Sequence, residues 1–179
     1  TRPQNHAEIT VFAAGHGVRA IYCEKPLCCS MTEADAMLEA CTRHHVKFNY
    51  GTNRRFMPIY RQMRDMIDRG DIGDLQSVTA CTSGVAQWSH THASDMLLFL
   101  AQDAGIDLVQ GHIQCNEAEF DKNRVTVDPP VHMGYIQFAT GVRGYLTVGS
   151  GYDFEVSGTS GRLRTLNDVE SIQWRQIQG

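Results

Sequence analysis

Val18-Arg19-Ala20-Ile21-Tyr22-Cys23-Glu24-Lys25-Pro26, with Ser30-Met31-Thr32-Glu33 close behind, is the stretch on which the fold turns. Val18 to Cys23 is a short apolar run of strand character. Pro26 has no N–H to give a ladder, so the strand must stop and the chain must turn there. Ser30 followed three positions later by Glu33 has the form of a capping box. Ala34, Met37, Leu38 and Cys41 then recur at helical spacing, which predicts an amphipathic helix from Met31 to His44. Val46 to Tyr50 reads as a second strand. Upstream, Gln4 to Ala14 reads as a helix with Ile9, Val11 and Phe12 buried, stopped by Gly15 and Gly17. Strand–helix alternation of this kind favours a parallel sheet with crossover helices.

Beyond Tyr50 the pattern changes. Pro58 suits the first turn of a helix whose apolar positions are Ile59, Met63, Met66 and Ile67, ending near Gly70. Leu75 to Ser83 reads as a strand, and His92 to Ala101 as a helix apolar on most sides. From Ile106 onward the signals are mainly strands: 106–115, 131–139, 142–149, 152–158 and 162–166, with Gly141 at a hairpin turn. Successive strands with few helices imply a largely antiparallel sheet. The expected organisation is an α/β domain over residues 1–52 followed by an α+β domain over residues 53–179.

The bulk properties fit this. Of 179 residues, 42% are hydrophobic and 20% charged, an ordinary globular balance. A net charge of −4 lacks the basic footprint of nucleic-acid binding. Apolar runs such as Met96 to Ala101 are too short to span a bilayer. Six cysteines without a C-x-x-C pair read as buried thiols in a reducing compartment. No charged segment leading into an apolar one opens the chain, and a cytoplasmic location is the expectation. His16, His44, His45, His112 and His132 have no partners at metal-like offsets, so no metal is expected.

Four signatures occur in order. Thr1-Arg2-Pro3 with His6 precedes Cys23-Glu24-Lys25-Pro26-Leu27. Asn53-Arg54-Arg55-Phe56-Met57-Pro58 leads into a helix running to Gly70 and Ile72-Gly73. Thr91-His92-Ala93-Ser94-Asp95-Met96-Leu97 opens another helix. Phe154 to Leu163 contains Glu155 and Gly158-Thr159-Ser160-Gly161. Together they resemble the glucose–fructose oxidoreductase/inositol dehydrogenase/MocA family. The resemblance implies the second half of a Rossmann nucleotide-binding domain, followed by an α+β domain with a large, mostly antiparallel open sheet. It implies NAD or NADP as cofactor, a sugar, cyclitol or other polyol as substrate, and a homo-oligomer. Gly15-His16-Gly17 has neither the third glycine nor the preceding strand of a G-x-G-x-x-G phosphate loop. The sequence is therefore read as a fragment, with that loop expected upstream and further strands possible downstream.

The resemblance also assigns roles. Lys25 is the first catalytic candidate: an ammonium at a strand's carboxyl end can stabilise developing alkoxide character as hydride leaves. Its alternative is an exposed strand-end lysine without a role. His92 is the second, as proton acceptor, its ordinary pKa of ~6.5 suiting exchange near neutrality. The alternative is a helix-start histidine bonded locally. Glu24, Lys25, Pro26, His6 and Arg54 are the cofactor-binding candidates. Lys25, Asn53, Trp88 and His92 are the substrate-binding ones. Asn53, Arg54, Arg55 and Tyr60 are expected where a cleft forms, the arginines either clamping an anion or making an interdomain ion pair. Trp88 stands four residues before His92, where many family members have an aspartate, and His90 is a nearby polar histidine. That departure keeps open a non-catalytic nucleotide- or sugar-sensing protein on the same scaffold, or an inactive fragment.

Overall fold

The computed structural model describes residues 1–86, 88–116, 120–121, 123–125 and 127–177. They form two compact units. The first comprises Thr1–Thr52 and Cys115–Pro129, the second Asn53–Gln114 and Pro130–Gly179. The chain thus leaves the second unit after Gln114 and re-enters it at Pro130.

In the first unit, a short 3-10 turn leads into helix α1 (His6–Ala14), then strand β1 (Ala20–Cys23), helix α2 (Met31–Arg43) and strand β2 (Lys47–Tyr50). β1 and β2 are parallel, with Ala20 opposite Lys47 and Cys23 opposite Tyr50. The crossover through α2 follows, since parallel strands cannot be joined by a tight turn. Ser30 caps α2 by accepting the Glu33 N–H at 3.1 Å. The Glu33 carboxylate reaches one residue further back than a capping box requires and accepts the Cys29 N–H at 2.8 Å. Ala14, Ala40, Cys41 and Val46 form a buried cluster of small side chains, with Ile21 and Phe48 packed against it.

α1 corrects one expectation. Its buried residues are His6, Thr10 and Ala14, whereas Ile9, Val11 and Phe12 are exposed, Phe12 to 64%. The physical reason is side-chain size: threonine and alanine let the helix approach its neighbours closely, and the larger side chains are left on the outer surface. A largely apolar groove of about 510 Å³, lined by Val11, Phe12, Ala36 and others, runs along that surface.

The second unit contains α3 (Pro58–Asp68), β3 (Leu75–Thr82), α4 (His90–Leu100) and β4 (Ile106–Ile113) before the chain leaves it. In the first unit the chain forms a two-stranded antiparallel hairpin, β5 (Phe120–Asp121) and β6 (Arg124–Val125). Back in the second unit come β7 (Val131–Phe138), β8 (Arg143–Val148), β9 (Tyr152–Gly158), β10 (Gly161–Leu166) and β11 (Ser171–Gln176). The seven-stranded sheet has the order β11-β10-β9-β3-β8-β7-β4. All its pairings are antiparallel except β3 with β8. Gly141 turns β7 into β8 with φ +85°.

Alternation along the central strands gives the sheet one covered face. Val78, Ala80, Phe154, Val156 and Leu163 are buried together with Tyr60, Met63, Met96, Leu97 and Leu100 of α3 and α4. The intervening residues of β3 and β9, such as Thr79, Cys81 and Glu155, are only partly buried. Gly158 lies against the loop that precedes β3, where a Cβ would meet the Ile72 carbonyl oxygen at 2.2 Å.

Candidate functional site

The Glu24-Lys25-Pro26 turn follows the carboxyl end of β1, beside the carboxyl end of β2. In open α/β sheets that is the side on which ligands bind. Lys25 is half-buried, Glu24 exposed and Pro26 buried. The turn is held through its backbone. The His6 ring, only 4% exposed, sets Nδ1 at 2.8 Å from the Pro26 carbonyl oxygen. The Leu27 N–H donates to the Tyr50 hydroxyl at 3.2 Å. His6 is therefore engaged in fixing the turn. A small cleft of about 170 Å³ beside it is lined by Thr1, His6, Ile9, Tyr22, Cys23 and Glu24, among others.

Opposite the turn lies Gly51, where a Cβ would come within 2.7 Å of the Glu24 carboxylate and 3.2 Å of the Cys23 carbonyl oxygen. A side chain at this position would displace the Glu24 carboxylate and crowd the backbone of Cys23 and Glu24. An acidic side chain, an ammonium and a close backbone approach at a strand's carboxyl end suit the ribose and nicotinamide part of a dinucleotide. The pyrophosphate is a different matter, because the chain contains no G-x-G-x-x-G motif.

All six cysteines are unpaired as disulfides. Burial raises the pKa of Cys23, Cys28, Cys29 and Cys41 above the usual thiol range, which favours the protonated thiol. Among the described residues, no group of three His, Cys, Asp or Glu side chains is placed to hold a metal ion, and no helix is long and apolar enough to cross a membrane.

The remaining candidates belong to the second unit. His92 is half-buried in the first turn of α4. His90, two residues earlier, is buried with Nε2 at 3.2 Å from the Gly84 carbonyl oxygen. Trp88 is exposed to 57% in the preceding turn. Asn53 is exposed at the start of the unit.

Both arginines are engaged inside this unit. Arg54 bonds the Asp168 carboxylate and stacks on the Tyr152 ring with 3.9 Å to its centroid. Arg55 reaches Asp95 through Nε and Nη2, at 3.0 and 2.7 Å. Asp103 adds a further contact to it at 3.1 Å. These pairs lie within the second unit, where the sequence suggested an anion clamp or an interdomain pair. Tyr60, expected in a cleft, has no exposed surface and donates its hydroxyl to Asp168 at 2.7 Å. Burial and that bond to Asp168 push its phenol far above the usual tyrosine range. Asp168 itself was not foreseen. It sits at φ +64° in the turn between β10 and β11, 114 residues from Arg54, and no local signal marks it.

Residues 1–52, which carry the parallel pair and the Lys25 turn, match the model of an oxidoreductase family with an NAD-binding Rossmann fold, GFO_IDH_MocA. Over those residues the chain is similar to this family. It is 28% identical over 183 residues to the scyllo-inositol 2-dehydrogenase (NAD(+)) of Bacillus subtilis (strain 168), a match spanning 91% of this chain and 52% of that protein. A shorter match, 35% identical over 79 residues, links it to the inositol 2-dehydrogenase of Rhizobium meliloti (strain 1021), covering 44% of this chain and 24% of that one. Among solved structures, levoglucosan dehydrogenase in complex with NADH and levoglucosan superposes over 100% of this chain and 56% of its own, with a TM-score of 0.82 and 25% identity. The chain thus spans about half the length, or less, of these relatives. It shares the fold of that dehydrogenase structure: a Rossmann-type α/β unit and a large, mostly antiparallel sheet.

Proposed function

We propose that this chain belongs to an NAD(P)-dependent dehydrogenase or reductase acting on a hydroxyl or carbonyl group of a sugar, cyclitol or related polyol. The observation that carries the reading is the Glu24-Lys25-Pro26 turn at the carboxyl end of a parallel strand pair, within residues matching an NAD-binding Rossmann model. The named relatives act on inositols and levoglucosan, which supports that substrate class.

In the alcohol direction, a C–H bond and an O–H bond break while the carbonyl forms. A nicotinamide cofactor, which Glu24 and Lys25 would help to hold, would supply the hydride acceptor. Lys25 donates a hydrogen bond to the reacting oxygen and stabilises its developing charge. His92 accepts the hydroxyl proton. Glu24 holds a cofactor hydroxyl beside Gly51. Asn53 and Trp88 contact substrate, Trp88 offering its ring face to a sugar. Arg54, bonded to Asp168, keeps its place among the cofactor-binding candidates. A homo-oligomer in the cytoplasm completes the proposal, with the less covered face of the sheet available for assembly.

The test is turnover of the full-length protein with NAD+ or NADP+ and a panel of inositols and anhydrosugars, followed by nicotinamide absorbance. Lys25→Ala is expected to lower kcat by on the order of 10²-fold or more. Unchanged kcat removes Lys25 from the reaction. Trp88, in place of a family aspartate, favours a second reading as a sensor. In that case a nicotinamide nucleotide binds but no polyol reduces it.

A further inference from the structure

The turn that carries Lys25 is also held by contacts that come from far along the chain. Near the turn, His6, Tyr50 and Glu33 satisfy Pro26, Leu27 and the Cys29 N–H, all from adjoining elements. The Cys29 carbonyl is different: it accepts the Val125 N–H, at 2.8 Å, from the β5–β6 hairpin. The neighbouring Arg124 adds side-chain attachments. Its Nε donates to Glu33 Oε1 at 2.7 Å, across 91 residues of sequence, and its Nη2 donates to the Gln4 carbonyl oxygen at 3.3 Å.

Glu33 is the hinge of this arrangement. One carboxylate oxygen takes the Cys29 N–H and the other takes Arg124. Both partners of the ion pair are largely sheltered, with side chains 33% and 22% exposed for Arg124 and Glu33. Arg124 therefore gathers the turn before α1, the N-terminus of α2 and the hairpin around the segment that follows Pro26. A planar guanidinium, with donors in a fixed fork, can serve two acceptors in this way.

We propose that Arg124 is a positioning residue for Lys25: the β5–β6 hairpin straps the Glu24–Ser30 turn from outside, and Arg124 to Glu33 is its fastening. The inference rests on the reading of Lys25 as the group that polarises the reacting oxygen. Arg124 touches neither cofactor nor substrate. A displacement of about 1 Å at a reacting group costs on the order of 10²-fold in rate, so partial release of the turn costs about tenfold.

The test uses the full-length protein and reads the strap separately from the reaction. In Arg124→Ala, amide exchange at Leu27 and Cys29 is expected to accelerate about tenfold, and kcat to fall about tenfold, with the affinity for NADH changed less than twofold. Arg124→Lys keeps a charged donor to Glu33 and is expected to recover most of both effects. Glu33→Gln is expected to reproduce the Arg124→Ala pattern, and it replaces that variant should it fail to fold. Unchanged exchange at Leu27 and Cys29 overturns the strap. Faster exchange with unchanged kcat overturns the positioning role. If the unmodified protein oxidises no polyol, the dehydrogenase reading fails by itself. The strap is then decided by exchange together with the Lys25 signal in 13C-methylated protein, which must shift in Arg124→Ala.

Discussion

The two units are built on opposite economies of side-chain size. The second buries Tyr60, Phe138, Phe154, Met63, Met96 and four leucines between the sheet and helices α3 and α4. The buried cluster beneath β1 and β2 is Ala14, Ala40, Cys41 and Val46, and the large side chains of α1 lie outside it. Burial of apolar area is the main stabilising term in folding, so the second unit carries most of the stability. The first unit instead spends hydrogen bonds on fixing one turn. The difference teaches that the Lys25 turn is held by directional bonds, whereas His92 stands on a helix held by packing.

The comparison can be broken most directly in the core of the second unit. Phe154→Ala is expected to cost about 3–5 kcal/mol and to lower the denaturation midpoint of the sheet while exchange at Leu27 stays as it was. Loss of both together would mean the units share one cooperative transition. A smaller effect is expected at Tyr60, whose hydroxyl serves Asp168. Tyr60→Phe should cost about 1–3 kcal/mol. The pH dependence sharpens this. A phenol with a raised folded-state pKa contributes stability that is complete below the unfolded value of about 10 and is lost as pH rises beyond it. Alkaline unfolding of the second unit should therefore begin near pH 10 and be blunted in Tyr60→Phe, as followed by tyrosinate absorbance.

In the first unit, Ser30→Ala removes the cap of α2 and should cost about 1 kcal/mol, measured as a shift in the urea midpoint. Glu33 adds an acid-side signature. Burial alone would raise its carboxyl, but the Cys29 N–H and the Arg124 guanidinium outweigh that and hold it below the usual carboxylate range. Its contribution is present above the unfolded pKa of about 4.3 and disappears as pH falls through the lower folded value. The smallest effect is expected at Phe12, where Phe12→Ser should alter stability by less than about 0.5 kcal/mol. A larger loss there would show that the outer face of α1 is covered in solution.

Much of this was legible in the sequence, for reasons that differ by element. The Pro26 stop, the Ser30 cap and the helix beginning at Pro58 are local, and each residue type dictates its own backbone outcome. The strands of the large sheet were legible from their alternation. β11 was not foreseen, because Gln173, Trp174, Arg175 and Gln176 are all exposed and leave no apolar rhythm. The parallel pairing of β3 with β8 also left no trace, since direction is set by the partner and not by the strand. The same holds for the ties that matter most to the candidate site. Arg54 with Asp168, and Arg124 with Glu33, join residues separated by 114 and 91 positions, and neither partner announces the other. Residues 115–129 return to the first unit without any shift in composition.

β4 has a consequence of its own. It is the last strand of the large sheet, all eight of its residues are exposed, and Leu108, Val109 and Ile113 are among them. A strand of that kind offers its outer backbone as a template for another chain. In concentrated solution this margin is where polymerisation would nucleate. A lysine at Val109 is the substitution to try for anyone needing the protein to remain dispersed.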